Sequence, residues 1–276
     1  MSMRHDLDQM TYNDALAALS WQVDLGVSDA IEEAPINRCD LEPEVKPAPV
    51  SSKVAQPKPA PTPAPKPASV SDLAKAAEAV AQATPSLDAL RAAMVDFHGL
   101  DLRKGARNMI FSQGNPQADV MVIAEAPSRA DDEAGHGFSD EAGKLFDAMF
   151  DAIGLSRSAQ DQSEALYLTY VSPWRMPQDR PITEAEHQVL CPFLLRHIAL
   201  CAPKAVVLFG NASCVAALSQ TGVQRLREAD HMLVAGAHRC PAFPIYSPAR
   251  LMNVPLLKRE AWADLLKLKA SLGGAR

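Results

Sequence analysis

Four short apolar runs after residue 119 alternate with segments of helical periodicity, and this alternation restricts the possible folds more than any other feature. The runs cover residues 120–124, 166–171, 205–209 and 242–246, and each has the length of a buried β-strand. Strands separated by helices favour right-handed βαβ crossovers and parallel sheets with helices on both faces. We therefore predict an α/β fold: a three-layer α/β/α domain with a mostly parallel, four-stranded central sheet.

The predicted helices begin at recognisable start signals. Ser86 is a favourable N-cap for a helix that ends near Phe97, and Pro181 precedes a helix over residues 183–200. The other predicted helices cover residues 142–153, 211–218 and 255–272. Because open parallel sheets bind ligands beyond the carboxyl ends of their strands, we expect a site in the segments that directly follow the four strands.

Composition separates this domain from the part of the chain before it. Residues 1–46 hold ten acidic and three basic residues, a local charge of −7. Nine of the 25 residues from 43 to 67 are proline, which predicts an extended spacer or, alternatively, a docking site for a proline-reading domain. The predicted parts are an acidic N-terminal segment over residues 1–42, a Pro/Ala-rich linker over residues 43–84 and the α/β domain over residues 85–276.

The N-terminal segment contains one amphipathic stretch. Leu16, Leu19 and Val23 share one face of a predicted helix over residues 12–27. A helix of this length is marginal in isolation. It therefore docks on the domain, frays, or binds a protein partner.

Charge, cysteine content and hydropathy narrow the class of protein. Residues 47–276 hold 23 acidic and 24 basic residues, so the acidity belongs to the N-terminal segment and the domain could still bind nucleic acid. The five cysteines are scattered, which disfavours a disulfide framework or a four-cysteine metal site. Without a long apolar window or a signal-like N-terminus, we expect a cytoplasmic protein with no membrane segment.

Two residues near the first predicted strand could carry chemistry. Glu125 follows the strand directly and could position water or stabilise a developing positive charge, or it could be a solvated or helix-capping acid. Phe138 lies in a loop after Gly135-His136-Gly137. It could stack on a flat ligand such as a base, or it could fill the core.

The later strand ends contribute weaker candidates. Arg175 lies in a loop with two prolines after the second strand, and Asn211 after the third strand is best explained as a helix cap. Ser247 follows the fourth strand and could donate a hydrogen bond into the same crevice. The chain has no GxSxG elbow, which makes a serine hydrolase a weak interpretation.

In this order and spacing, the motifs resemble the uracil-DNA glycosylase superfamily, and the family 4 type above all, over about residues 90–272. The matching segments are Gly114-Asn115-Pro116-Gln117-Ala118-Asp119, Glu125-Ala126-Pro127, Phe138, Gly143-Lys144-Leu145-Phe146-Asp147, Ile153-Gly154-Leu155, Thr169, Trp174-Arg175, Cys191-Pro192-Phe193-Leu194, Pro203-Lys204, Gly210, Ser247-Pro248-Ala249 and Lys258-Arg259-Glu260-Ala261-Trp262.

The resemblance implies a role for each site residue. Glu125 would be the catalytic carboxylate, and Ala126-Pro127 and Phe138 would hold the base. Two positions depart from the family pattern. Tyr170 stands where the family has the asparagine that reads uracil, and Ser247 stands where it has a histidine that stabilises the leaving base.

The resemblance also implies a 4Fe–4S cluster held by four cysteines. The matching positions are Phe97, Leu100, Trp174 and Cys191, so only Cys191 keeps a ligand. One thiolate cannot hold such a cluster. We therefore predict a protein without a metal or other cofactor.

The implied function is hydrolysis of the N-glycosidic bond of a flipped uracil, or of another damaged base, in DNA repair. Losing one stabilising donor typically costs about 10²–10³ in rate, so ordinary uracil excision should be slow or absent. Two alternatives stay open: a catalytically silent paralogue that binds DNA, and an interaction scaffold that acts through its N-terminal segment. The candidate DNA contacts are Arg175 and Arg250, with Arg180, Lys258 and Arg259 beside them.

Overall fold

A computed structural model describes Leu16, residues 69–98 and residues 105–273. The chain divides into two compact units, Met1–Pro63 and Ala64–Arg276, and the fold concerns the second. Apart from Leu16, the predicted helix over residues 12–27 lies outside the described residues, as does the proline-rich run. Among the described helices, none combines the length and apolarity needed to cross a bilayer.

The described strands form one mixed, six-stranded sheet with the order β1-β3-β2-β4-β6-β5. The strands are β1 (Ser112–Gly114), β2 (Val120–Ala124), β3 (Leu166–Tyr170), β4 (Ala205–Phe209), β5 (His231–Ala235) and β6 (His238–Ile245). The inner strands β3, β2, β4 and β6 pair in parallel, which confirms the four predicted strands. The edge strands β1 and β5 are antiparallel and were not predicted.

Helices cover both faces of the sheet. They are α1 (Val70–Ala83), α2 (Leu87–Asp96), α3 (Arg129–Ala134), α4 (Glu141–Asp151), α5 (Glu184–Cys201), α6 (Gly210–Leu218), α7 (Val223–Leu226), α8 (Pro248–Asn253) and α9 (Lys258–Gly273), with short 3-10 turns at Pro177–Asp179 and Pro255–Leu257. The predicted capping of α2 is confirmed, because the Ser86 side chain accepts a hydrogen bond from the Ala89 N–H. Asn211 does not cap α6; its side chain accepts from the Gly222 N–H at 2.7 Å.

Alternating residues of the parallel strands face two apolar layers. Met121 and Val206 pack with side chains of α1, α2, α5 and α6 on one face. Val122 and Val207 pack with side chains of α4, α8 and α9 on the other. Helices on both faces of the sheet confirm the predicted three-layer α/β/α fold. The inner strands are largely apolar because a parallel sheet covered on both faces is buried on both.

Helix α1 shows that the predicted linker over residues 43–84 is wrong for residues 70–83. Ser69 caps this helix by accepting from the Asp72 N–H. Ala77 and Ala81 are buried, and the Arg196 guanidinium of α5 donates two hydrogen bonds to the Thr84 carbonyl. The segment is rich in alanine, which favours helix and lets helices approach closely, whereas the proline run ends before it.

Candidate functional site

The carboxyl ends of the parallel strands bring three of the predicted site residues to one edge of the sheet. Ala124, the last residue of β2, pairs with Tyr170, the last residue of β3. Glu125 therefore directly follows the residue that pairs with Tyr170. Ser247 follows β6, which is separated from β2 by β4, at a strand-to-strand distance of roughly 10 Å.

Glu125 lies in an open cleft of about 440 Å³. One wall is the segment from Glu125 to Arg129, and the other is formed by Met176, Asp179, Arg180 and Pro181. Glu125 is half-buried, and its carbonyl accepts a hydrogen bond from the Ser172 N–H at 3.0 Å. It does not cap α3; Ser128 does, in a reciprocal capping box with Asp131. The cleft leaves the Glu125 carboxylate in reach of a ligand.

Ion pairs border this cleft. The Arg175 guanidinium binds both carboxylate oxygens of Asp179, at 2.8 and 3.0 Å, and this contact lowers the pKa of Asp179. Arg180 pairs with Glu186 and lowers the pKa of Glu186 to about 2, mainly through their hydrogen bond. Arg175 therefore has to leave or share Asp179 before it can contact a phosphate.

Tyr170 fills the space beneath the loop that carries Phe138. Its side chain is 4% exposed, and its hydroxyl donates to Asp131 Oδ2 at 3.4 Å. Burial raises the pKa of Tyr170, so the phenol is neutral. A Cβ atom at Gly137 would lie 2.5 Å from the Tyr170 hydroxyl, so only glycine fits there. The position that would read a base therefore holds a packed ring.

The two interpretations of Phe138 were stacking on a ligand and filling the core. Its ring stacks on Phe146 with centroids 4.6 Å apart and is nearly parallel to Tyr170 at 6.3 Å. It remains partly exposed, at a backbone φ of 49°. Phe138 thus packs on the aromatic core while keeping some surface for a ligand.

Asp131 is a member of the site that the sequence analysis missed. It is 4% exposed, and besides the Tyr170 hydroxyl it accepts from the Ser128 N–H and from both the N–H and the hydroxyl of Ser139. It therefore joins the loop after Glu125 to the loop after Phe138. The available signal was the spacing Ser128-x-x-Asp131, which is typical of a capping box.

His187 is a second residue that no sequence pattern indicated. It is buried in the first turns of α5, and its Nδ1 has no hydrogen-bond partner among the described residues. Burial lowers its pKa, while the charges of Glu184, Glu125 and Glu186 oppose that shift. A neutral imidazole therefore lies within the electrostatic influence of Glu125.

Ser247 has a structural role in addition to any chemical one. Its hydroxyl oxygen accepts from the Arg250 N–H at 3.4 Å and caps α8. This contact uses the hydroxyl oxygen as an acceptor and leaves its proton free to be donated. Ser247 does not line the cleft that holds Glu125. Arg250, a predicted DNA contact, is exposed on the same helix.

The residues at the positions of the implied iron–sulfur ligands do not fit a cluster. Phe97 and Trp174 line a small apolar cavity together with Met94, Leu190 and Phe193. The Cys191 thiol donates to the Ala216 carbonyl at 2.9 Å, and burial raises the pKa of that thiol. Leu100 lies outside the described residues. Within the described ranges, no three potential ligands gather into a metal site.

Comparison with known proteins agrees with this architecture. A type-4 uracil-DNA glycosylase of Archaeoglobus fulgidus is 28% identical over 188 residues, covering 66% of this chain and 92% of that protein. One of Sulfurisphaera tokodaii is 26% identical over 190 residues, covering 67% and 84%. One of Pyrobaculum aerophilum is 25% identical over 169 residues, covering 59% and 83%. The uracil DNA glycosylase superfamily model matches residues 111–266, which include the whole strand-end site. The chain belongs to the uracil DNA glycosylase superfamily.

Proposed function

We propose that this protein acts in DNA repair by hydrolysing the N-glycosidic bond of a damaged nucleotide, with Glu125 as the catalytic carboxylate. The observation that carries the proposal is the half-buried Glu125 in an open cleft at the carboxyl edge of the sheet. The type-4 uracil-DNA glycosylases that the chain resembles support DNA as the partner.

The chemistry requires little more than a well-placed anion and a water molecule. As the bond between the base and C1′ breaks, the sugar gains positive charge and the base leaves with the bonding electrons. The Glu125 carboxylate stabilises that charge and orients the water that adds to C1′, and the proton that this water loses neutralises the departing base anion. Ser247 donates one neutral hydrogen bond to the departing base, which stabilises its negative charge less than a cationic donor would.

Base selection differs from that of a glycosylase that reads uracil with an amide. Tyr170 presents one hydroxyl, and Asp131 already accepts it. Phe138 and Ala126-Pro127 remain as surfaces against which a base can lie. We expect slow excision of ordinary uracil and a preference for a base that needs no paired donor and acceptor.

One observation favours a second candidate function, a DNA-binding paralogue without catalysis. The buried Tyr170 ring reduces the room for a flipped base, while Arg250, Lys258 and Arg259 are exposed cations and Arg175 could join them by leaving Asp179. That the N-terminal segment binds a protein partner remains a prediction. That the protein holds no iron–sulfur cluster also remains a prediction. The side chains of Phe97 and Trp174 support the latter.

The test is a single-turnover assay on oligonucleotides that each carry one damaged base, including uracil. Wild type should release at least one base, and Glu125→Gln should slow that release at least about 100-fold. Glu78→Gln, an exposed change on α1, is the matched control and should leave the rate unchanged. Salt-sensitive DNA binding without any base release would instead support the second candidate. If the protein neither releases a base nor binds DNA, both candidate functions are contradicted.

A further inference from the structure

The loop that carries Phe138 is held in a backbone conformation that a phenylalanine does not favour. The φ angle of Phe138 is 49°, in the left-handed region that is costly for any residue with a side chain. The Phe138 carbonyl packs so closely on Gly143 that a Cβ atom there would overlap its oxygen. Because this conformation is unfavourable by itself, contacts with other parts of the chain must hold the loop in place.

Arg157, in the segment between α4 and β3, makes such a contact. Its Nη1 donates a hydrogen bond to the Gly137 carbonyl at 2.8 Å and a longer one to Gln113 Oε1 at 3.4 Å. Its Nε and Nη2 donate to the two carboxylate oxygens of Asp147, at 2.8 and 2.7 Å. A planar guanidinium bound at two points by a carboxylate has little freedom to rotate. It therefore fixes the carbonyl that directly precedes Phe138.

Arg157 also contacts the ring that supports Phe138. Its guanidinium carbon lies 5.2 Å from the centroid of the Phe146 ring, and Phe138 stacks on that same ring at 4.6 Å. The Arg157 side chain is only 14% exposed, so these contacts are largely shielded from water. Arg157 does not line the cleft of Glu125. One side chain thus holds both the backbone before Phe138 and the ring on which Phe138 packs.

We propose that Arg157 is a positioning residue, which fixes the Phe138 ring in advance as the surface against which a base stacks. Asp131 holds the loop from the other side, through the Ser139 N–H. A ring that is already fixed loses less freedom when a base stacks on it, so the base binds more tightly. This inference rests on the role that the proposed function gives to Phe138.

The test compares two short single strands that consist of abasic tetrahydrofuran units, one of which carries a single uracil at its centre. Fluorescence anisotropy measures their affinities for the full chain with Glu125→Gln, so that turnover cannot affect the result. The uracil strand should bind at least about fivefold more tightly, because stacking on an aromatic ring favours it. Equal affinities would overturn the proposal. The proposed function is tested separately, by base release with Glu125 intact, so the two failures are distinguishable.

Variants in this background show whether Arg157 acts through Phe138. Arg157→Lys keeps the charge but cannot bind a carboxylate at two points and the Gly137 carbonyl together, so the ratio of the two affinities should fall at least about threefold. Phe138→Ala should abolish the preference for uracil. Adding Arg157→Lys to Phe138→Ala should leave the affinity for the uracil strand unchanged, and a further loss would contradict the proposal.

Arg196→Lys is the matched control for a general loss of stability. Arg196 is also half-buried and donates two hydrogen bonds to a carbonyl, that of Thr84. Its replacement should destabilise the fold in urea without changing the affinity ratio. Asp147→Asn, at a half-exposed residue, loosens the Arg157 guanidinium and should also lower the ratio, which keeps the test valid if Arg157→Lys does not fold. An unchanged ratio in either folded variant would overturn the proposal.

Discussion

The Tyr170 hydroxyl donates to Asp131 Oδ2 at 3.4 Å, and both side chains are buried. This contact connects the end of β3 with the first turn of α3, which follows the Glu125 loop. It holds a phenol where the family resemblance places an amide that reads the base. Glu125 therefore keeps the carboxylate that the resemblance implies, while the position that the resemblance assigns to base reading belongs to the packed core.

The Tyr170–Asp131 hydrogen bond should contribute modestly to stability. Tyr170→Phe removes the hydroxyl but keeps the ring, and Asp131 retains its bonds to Ser128 and Ser139. We expect a loss of about 1 kcal/mol in the free energy of unfolding, measured in urea. The filled pocket predicts that this variant gains no uracil excision; a gain would show that the hydroxyl, not the ring, limits activity.

Asp131→Asn should be more damaging. The carboxylate accepts hydrogen bonds from two loops, and an amide cannot accept all of them. A loss of about 2–3 kcal/mol in unfolding free energy is expected from urea denaturation. Asp151→Asn, an exposed change at the end of α4, should have almost no effect. Equal stability of the two variants would refute the connecting role of Asp131.

The Arg180–Glu186 pair makes stability depend on pH. The hydrogen bond from Arg180 holds the folded-state pKa of Glu186 at about 2, below its ordinary value of 4.5. A depressed carboxylate pKa stabilises the fold fully above the unfolded value, and this stabilisation disappears as the pH falls towards 2. Glu186→Gln should therefore cost about 1–2 kcal/mol at neutral pH, since Arg180 is partly solvated.

The measurement for Glu186 is urea denaturation of both proteins between neutral pH and pH 3. The difference between wild type and Glu186→Gln should shrink once the pH drops below about 4.5. A difference that stays constant across this range would exclude the ion pair as its source.

Helix α1 should behave as part of the domain. Ala77 is fully buried against the helix layer, so Ala77→Leu should overpack that layer and cost about 1–3 kcal/mol in unfolding free energy. Ala76→Leu changes the neighbouring exposed position and should be nearly neutral. If both variants melt as wild type does, residues 70–83 are a linker after all.

Purified protein should contain far less than one iron atom per chain by elemental analysis. The rings of Phe97 and Trp174 supply no ligand, and the Cys191 thiol donates to a carbonyl. Stoichiometric iron would contradict the predicted absence of a cluster.

The inner sheet was predictable because buried parallel strands are apolar at every position, as in Val120–Ala124 and Ala205–Phe209. The edge strands were not: β1 is three residues long, and Met232 and Val234 of β5 are exposed. Helix α1 was missed because the prolines before it dominated the composition.

The site was predictable only where one residue type implies one chemistry. Glu125 could be proposed as the catalytic carboxylate from its position after β2. The role of Asp131 depends on its burial and on donors eight and 39 residues away in the chain, which no local pattern reports. Whether the Tyr170 ring points into a pocket or fills it is likewise a property of the packing.

Uracil release by a Tyr170→Asn/Ser247→His double variant tests the central claim most directly. The substitutions supply the amide and imidazole that the family resemblance places at these positions, while Glu125 is kept. The account predicts that a folded double variant releases uracil at least about 100-fold faster than wild type, and that adding Glu125→Gln abolishes the gain. A folded double variant that is no faster than wild type would contradict it.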